Sequence, residues 1–393
     1  MPGEIRTCPE TAGRGRPHLF GQLRQVVMLL GTGGVGKTTC SAALACGLAR
    51  RGRKVALLTV DPARRLESLM QSLGGGVFRC RAVEGEDGRR GDGFVRTEKM
   101  EIPGLIESYL RRCAPDPQTA ERLVGSRFYP HLSGRLQSMH EYVAADRILS
   151  LLEQGEVDHV VVDTPPFAFA LHFLEAPRRL GKMAGTARKV FPGHAGSGAH
   201  RSALGRLSPV LVRGLSFFLG REFLSDLVDF VAAFGQTFGV MEERAEAALQ
   251  VFRERTSFGV VFVPESNSTA DLVSFLRARP DWLRPEFVLA NRVLEARGDA
   301  RGIGAVQLEE AFRGEPALGL FKPAEVKGAA RATRRALDTL DWLAAAQEAS
   351  LAEVRRSCPE VAGSGVIRMP LLPGGVRSLD ELECLAQIIC GGQ

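Results

Sequence analysis

The chain has 393 residues, 45% hydrophobic and 24% charged, enough for one large domain or two ordinary ones around a sizeable core. Its net charge of +6, from 51 Lys and Arg against 45 Asp and Glu, is a mild and scattered excess. That balance suits a bound anion and argues against a nucleic-acid surface; no RNA-binding aromatic motif or helix-turn-helix pattern is present. No uncharged apolar run reaches about 18 residues, so no transmembrane helix is expected.

In chain order, residues 1–20 lack the apolar core of a secretory signal and read as a disordered basic lead. QVVMLL (Gln25 to Leu30) predicts a strand. It runs into GTGGVGKTT (Gly31 to Thr39), and a helix follows, ending at Gly52. KVALLTV (Lys54 to Val60) predicts a second strand, ending at Asp61. Gly74 to Gly93, rich in glycine and charge, reads as an exposed, mobile connection. A helical stretch from Ile102 to Leu152 precedes the strand HVVVD, which ends at Asp163.

From Ala184 to Arg255 no strand is expected. Ala184 to Gly205 reads as a flexible Gly/His/Ser/Ala-rich loop. The remainder reads as helix, with Phe223, Leu224, Leu227, Val228, Phe230, Val231 and Phe234 on a wide apolar face. Three more strands are predicted at Phe258–Val263, Phe287–Asn291 and Val366–Pro370. All six runs are apolar on both faces, the pattern of a mostly parallel sheet covered by helices on both sides. The expected fold class is therefore α/β. One domain spans 21–393, with a helical subdomain inserted at about 102–152 and 184–255.

The eight cysteines, at positions 8, 40, 46, 80, 113, 358, 384 and 390, contain no C-x-x-C pair. With no export signal, free thiols in a reducing cytosol are expected, and no zinc site.

Gly31-x-x-x-x-Gly36-Lys37-Thr38 has the full phosphate-loop pattern, placed between a strand and a helix as such a loop requires. Its glycines let backbone N–H groups converge on phosphates, and the helix N-terminus adds positive potential. Lys37 reaches the β- and γ-phosphates, and the Thr38 hydroxyl suits Mg²⁺. Asp61 and Asp163 stand at strand ends with prolines close behind. Such aspartates hold Mg²⁺ through water or orient an attacking water; helix caps are the plainer alternative. Asn291 ends a strand with an amide suited to an adenine edge or, equally, to a turn.

These blocks together resemble the ArsA family of P-loop ATPases. The resemblance rests on GTGGVGKTTCSAALA, VALLTVDPARRL, SRFYPHLSGRLQSMHEYVAADRI, DHVVVDTPPFAFALHFLEAPRRL, TSFGVVFVPE, FVLANRV and VIRMPLLPGGVRSLDEL, in the family's order. It implies a P-loop NTPase fold that binds ATP and Mg²⁺ and hydrolyses ATP. Gly33, Gly34, Val35, Gly36, Lys37, Thr38 and Thr39 would wrap the phosphates. Asp61 would orient the hydrolytic water, and Asp163 would couple the γ-phosphate and Mg²⁺ to helix movement. Asn291 and the loop from Pro370 to Pro373 would hold adenine. It further implies a cytoplasmic homodimer or heterodimer, with an apolar protein client held by the helical region.

Three departures qualify that picture. Thr32 replaces a lysine that in much of the family reaches the partner's phosphates, which predicts slow turnover or a substitute cation such as Arg64 or Arg65. Phe167-Ala168-Phe169 replaces the usual Thr-x-His, so the switch coupling is expected to differ. The family's paired cysteines are missing, and Cys113 alone makes no three-thiolate site. That weighs against metalloid transport, one alternative. Another is a catalytically weak nucleotide-binding partner in a heterodimer.

Overall fold

The computed structural model describes residues 19–60, 76–81, 92–100, 102–130, 140–190, 221–294, 303–315, 321–357, 366–372 and 374–390. Eight strands form one sheet in the order β3-β4-β2-β5-β1-β6-β7-β8. They are β1 (Val26–Leu30), β2 (Lys54–Thr59), β3 (Val77–Phe78), β4 (Phe94–Lys99), β5 (His159–Asp163), β6 (Thr256–Phe262), β7 (Pro285–Val293) and β8 (Val366–Pro370). Every neighbouring pair is parallel except β3 with β4. The expected mostly parallel α/β sheet is therefore present, and each of the six predicted runs forms a strand.

Helices cover both faces of the sheet. They are α1 (Leu19–Gln22), α2 (Lys37–Arg50), α3 (Ile102–Cys113), α4 (Pro117–Val124), α5 (His140–Gln154), α6 (Phe167–Val190), α7 (Arg221–Gly235), α8 (Phe238–Glu254), α9 (Ser266–Ala278), α10 (Ala305–Arg313), α11 (Pro323–Ser357) and α12 (Leu379–Cys390). Side chains alternate across each strand, so β1 feeds two cores. Val26, Met28 and Leu30 pack with Phe173, Phe252 and Leu351 from α6, α8 and α11. Val27 and Leu29 face the opposite way, onto Leu44 and Leu48 of α2 and Leu382 and Ala386 of α12. Central β1 and β6 are buried along their whole length, as a doubly covered sheet demands.

Helices α3 to α5 lie between β4 and β5, and α6 to α8 between β5 and β6. Ile106, Tyr109, Leu110, Val143, Leu180 and Met241 join α3, α5, α6 and α8 in a separate apolar cluster. A buried carboxylate ties α3, α5 and α8 together. Asp146, 3% exposed, accepts from Arg112 at 2.5 Å and also pairs with Arg244, which donates to Ser150 Oγ at 3.0 Å.

Four expectations are corrected. Leu19 and Phe20 are not part of a disordered lead. They are buried in α1, with the Arg51 guanidinium 4.5 Å over the Phe20 ring. Within the supposed connection, Val77 and Phe78 pair antiparallel with β4. β4 itself went unread because FVRTEK has only one short apolar stretch. Its polar half is held by ion pairs instead, Glu98 to Arg147 at 2.8 Å and Arg96 to Glu156 at 2.9 Å. Ala184 to Val190 continue α6 rather than opening a loop, because their alanines and basic residues favour helix over the nearby glycine. The rest of that supposed loop lies outside the described residues. Finally, Cys40, Cys46, Cys80 and Cys113 are free and buried, but Cys384 is disulfide-bonded. Sequence spacing carries no record of which thiols the fold brings together.

Candidate functional site

The phosphate loop leaves the C-terminal end of β1 at the middle of the sheet and delivers Lys37 to the first turn of α2. Two of its glycines are required by geometry. A Cβ on Gly31 would lie 2.4 Å from the Val261 carbonyl of β6, so only glycine lets the loop pass. Gly36 caps α2 in the left-handed region, φ 94°, where a side chain is strained. A Cβ there would also fall 2.2 Å from Asn291 Nδ2.

Lys37 is buried and folds back over the loop. Its ammonium donates to the carbonyls of Gly31 at 3.1 Å and Thr32 at 2.9 Å. Thr32 thus serves the loop through its backbone. The Thr38 hydroxyl donates to Asp163 Oδ2 at 2.7 Å, and the Thr59 hydroxyl reaches the same oxygen at 3.4 Å. Asp163 ends β5 between β1 and β2, paired in register with Leu29 and Thr59. Two hydroxyls and a carboxylate thus converge beside the first turn of α2. This hard oxygen set suits Mg²⁺.

The next residues fasten this end of β5 to the loop. Thr164 donates to the Leu29 carbonyl at 2.6 Å, and the Phe167 amide donates to the Gly31 carbonyl at 3.1 Å. The Phe167 ring stacks on Phe275 of α9, centroids 4.1 Å apart. Phe169, two residues on, is 58% exposed. The two aromatics that replace Thr-x-His therefore differ in setting, one in the core and one on the surface.

Asn291 reaches the loop from β7. Its Nδ2 donates to the Val35 carbonyl at 2.7 Å, and its Oδ1 accepts from the Arg292 amide at 2.9 Å. Pro370 ends β8 paired with Val293, two residues beyond Asn291 on β7. Gly33, Gly34, Val35, Gly36, Thr38 and Thr39 are all in the loop or the first turn of α2, with Val35 buried in the core beneath. Asp61, Arg64, Arg65 and Pro373 lie outside the described residues.

Cys40, one turn into α2, has its thiol pushed up to about 12, chiefly by burial and then by the Asp163 charge. Burial likewise holds the Cys113 thiol up at about 12, so it stays protonated rather than offering a thiolate. Thr59, Thr164 and Arg292 were not marked by the sequence. The available signal was position: Thr59 sits two residues before the strand-end Asp61, and Arg292 directly follows the strand-end Asn291.

Comparison with known proteins agrees with this geometry. Residues 24–80 match the family of anion-transporting ATPases, the ArsA family. The ATPase get3 of Schizosaccharomyces pombe is 31% identical over 167 residues, covering 41% of this chain and 47% of that protein. The ATPase asna-1 of Caenorhabditis elegans is 29% identical over 161 residues, covering 39% and 45%. The chain spans about half the length of the relatives it matches. It is similar to the ArsA-type ATPases, and the family match covers β1, the loop, α2 and β2.

Proposed function

We propose that this chain, similar to the ArsA-type ATPases, binds Mg-ATP in the loop between β1 and α2 and hydrolyses it as a dimeric switch. The observation that carries the reading is the convergence of Lys37, Thr38, Thr59 and Asp163 at the mouth of the loop. Lys37 is already held against the loop's carbonyls and needs only to exchange them for phosphate oxygens. Backbone N–H groups at the start of α2 stabilise negative charge on the phosphates. Thr38 and Asp163 would hold Mg²⁺, an ion that would supply positive charge beside the phosphate oxygens. Asp61 orients the attacking water. Asn291 and Pro370 face the adenine.

The switch would run through Asp163. A change at its carboxylate is felt by Thr164 and by Phe167, which begins α6, and α6 packs on α8 and α5 within the helical insert. Phe169 and Met183 are exposed on α6, about four turns apart and so on one side of it. Val231 on α7 is also exposed. These side chains suit an apolar protein client. Phe223 and Phe230, by contrast, pack on Phe128, and Phe230 on Phe234, so this aromatic group is structural. No described helix is long and apolar enough to cross a membrane.

The test is a phosphate-release assay on wild type, Lys37→Ala and Asp61→Asn, with oligomeric state followed with and without ATP. Loss of turnover in both variants and ATP-dependent dimerisation of the wild type are expected. Equal turnover in all three proteins refutes the assignment. Crosslinking to an apolar helix in the ATP-bound state tests the client; no crosslink with any nucleotide removes it.

A further inference from the structure

Arg292 is the one non-glycine residue with positive φ among the described residues, at φ 58°. Its backbone is fixed on both sides. Its amide donates to Asn291 Oδ1 at 2.9 Å, and its carbonyl accepts from Gln347 Nε2 at 3.1 Å. Gln347, on α11 and buried, also accepts from the Leu294 amide at 2.8 Å. The β7–β8 register slips at this place, between Ala290 and Val293. Two elements outside the loop thus hold one residue in a conformation that glycine would adopt without strain.

What arginine adds here is its head group. The side chain is exposed and packs no core, and its Nη2 donates to the Gly34 carbonyl at 2.9 Å. That neutral acceptor leaves the guanidinium charge uncompensated, and among the described residues Arg292 makes no ion pair. The planar group carries five N–H donors in a fork that matches phosphate oxygens. Its charge also reaches the floor of the site, where it opposes Asp163 in acting on the buried Cys40 thiol. A nucleoside triphosphate brings several negative charges to a loop whose own side-chain cation is Lys37.

We propose that Arg292 is a nucleotide-binding residue whose guanidinium, aimed across the loop by the strained end of β7, contacts the polyphosphate as a second cation beside Lys37. The proposal rests on the nucleotide reading above and adds to it a residue from β7, two strands from β1 in the sheet. A plain structural role is the competing account, in which Arg292 only braces the loop at Gly34.

ATP affinity of the full chain, measured by titration calorimetry on wild type, Lys37→Ala, Arg292→Lys, Arg292→Gln and Arg292→Gly, separates these. Glutamine keeps an N–H for the Gly34 carbonyl without the charge, and glycine relieves the strain. Arg292→Gln and Arg292→Gly are expected to bind ATP about tenfold more weakly, roughly 1.4 kcal/mol, with Arg292→Lys within about threefold of wild type. The loss should shrink as salt rises, and the melting temperature of Arg292→Gly should not fall. Arg292→Gln binding like wild type, while Lys37→Ala fails, overturns the proposal and leaves the nucleotide reading standing. Lys37→Ala binding ATP like wild type overturns the nucleotide reading itself.

Discussion

The loop region and the helical insert solve the problem of buried polarity in opposite ways. Around the loop, side-chain groups are matched largely to backbone atoms: Lys37 to two carbonyls, Asn291 to the Val35 carbonyl, Thr164 to the Leu29 carbonyl. In the insert, one buried carboxylate, Asp146, gathers guanidinium groups from α3 and α8 onto α5. The first arrangement fixes backbone atoms where a ligand must meet them. The second fixes how three helices sit together and leaves their outer faces unconstrained. Damage should therefore separate: lesions in the insert act on stability, and lesions in the loop act on binding.

The largest stability effect should come from Asp146→Ala. It strands Arg112 and Arg244, 27% and 15% exposed, without their shared anion. Removing one partner of a buried ion pair costs about 3–5 kcal/mol. Urea unfolding should show the loss, while ATP affinity measured well below the transition stays near wild type. An equal fall in ATP affinity would mean that the two regions are not separable.

Gly36→Ala makes the converse cut. The left-handed φ and the 2.2 Å approach to Asn291 Nδ2 both oppose a Cβ. The backbone strain alone is about 1–3 kcal/mol, and ATP affinity should fall by roughly tenfold to a hundredfold as the loop opens to relieve it. Calorimetric titration checks this. Wild-type affinity in the variant would show that the cradle tolerates the displacement.

Those contrasts also explain what could be read from sequence. The loop was legible because strand, glycines, Lys37 and Thr38 are consecutive, so their chemistry survives in one dimension. The parallel sheet was legible because β1 and the middle of β5 and of β6 are buried on both faces and therefore carry unbroken apolar runs. β4 escaped because Arg96 and Glu98 find partners on Glu156 and Arg147, and no local pattern announces a partner far along the chain. Arg292 escaped for the same reason. Its role depends on Gly34 and Gln347, which only the fold brings to it.

Thr38→Val is a finer test within the loop. It removes the hydroxyl that donates to Asp163 Oδ2 at 2.7 Å but keeps the side chain's shape. Losing one hydrogen bond to a charged group costs about 1.5–3 kcal/mol. The Mg²⁺ dependence of ATP affinity should flatten, whereas nucleotide binding without Mg²⁺ should persist. A variant whose affinity still rises with Mg²⁺ as in wild type would remove Thr38 from the ion's site.

The smallest effect expected lies at the far end of the same strand from Asp163. His159 begins β5, and its Nδ1 lies 3.1 Å from the Arg24 carbonyl. That oxygen can only accept, so Nδ1 carries the proton in the neutral ring. Burial first, and the Arg53 charge after it, hold the imidazole below its ordinary value of 6.5, against the hydrogen bond to Arg24 and the charge of Asp158. The unfolded chain therefore takes up a proton at higher pH than the folded one does. Stability from this group is fully present above 6.5 and is lost as pH falls through the window down to the folded value. His159→Gln should remove that shallow slope from the pH dependence of the urea midpoint and leave ATP affinity unchanged, because the Arg24 carbonyl end of β5 is remote from the loop. A slope that persists in the variant would assign the titration to another group.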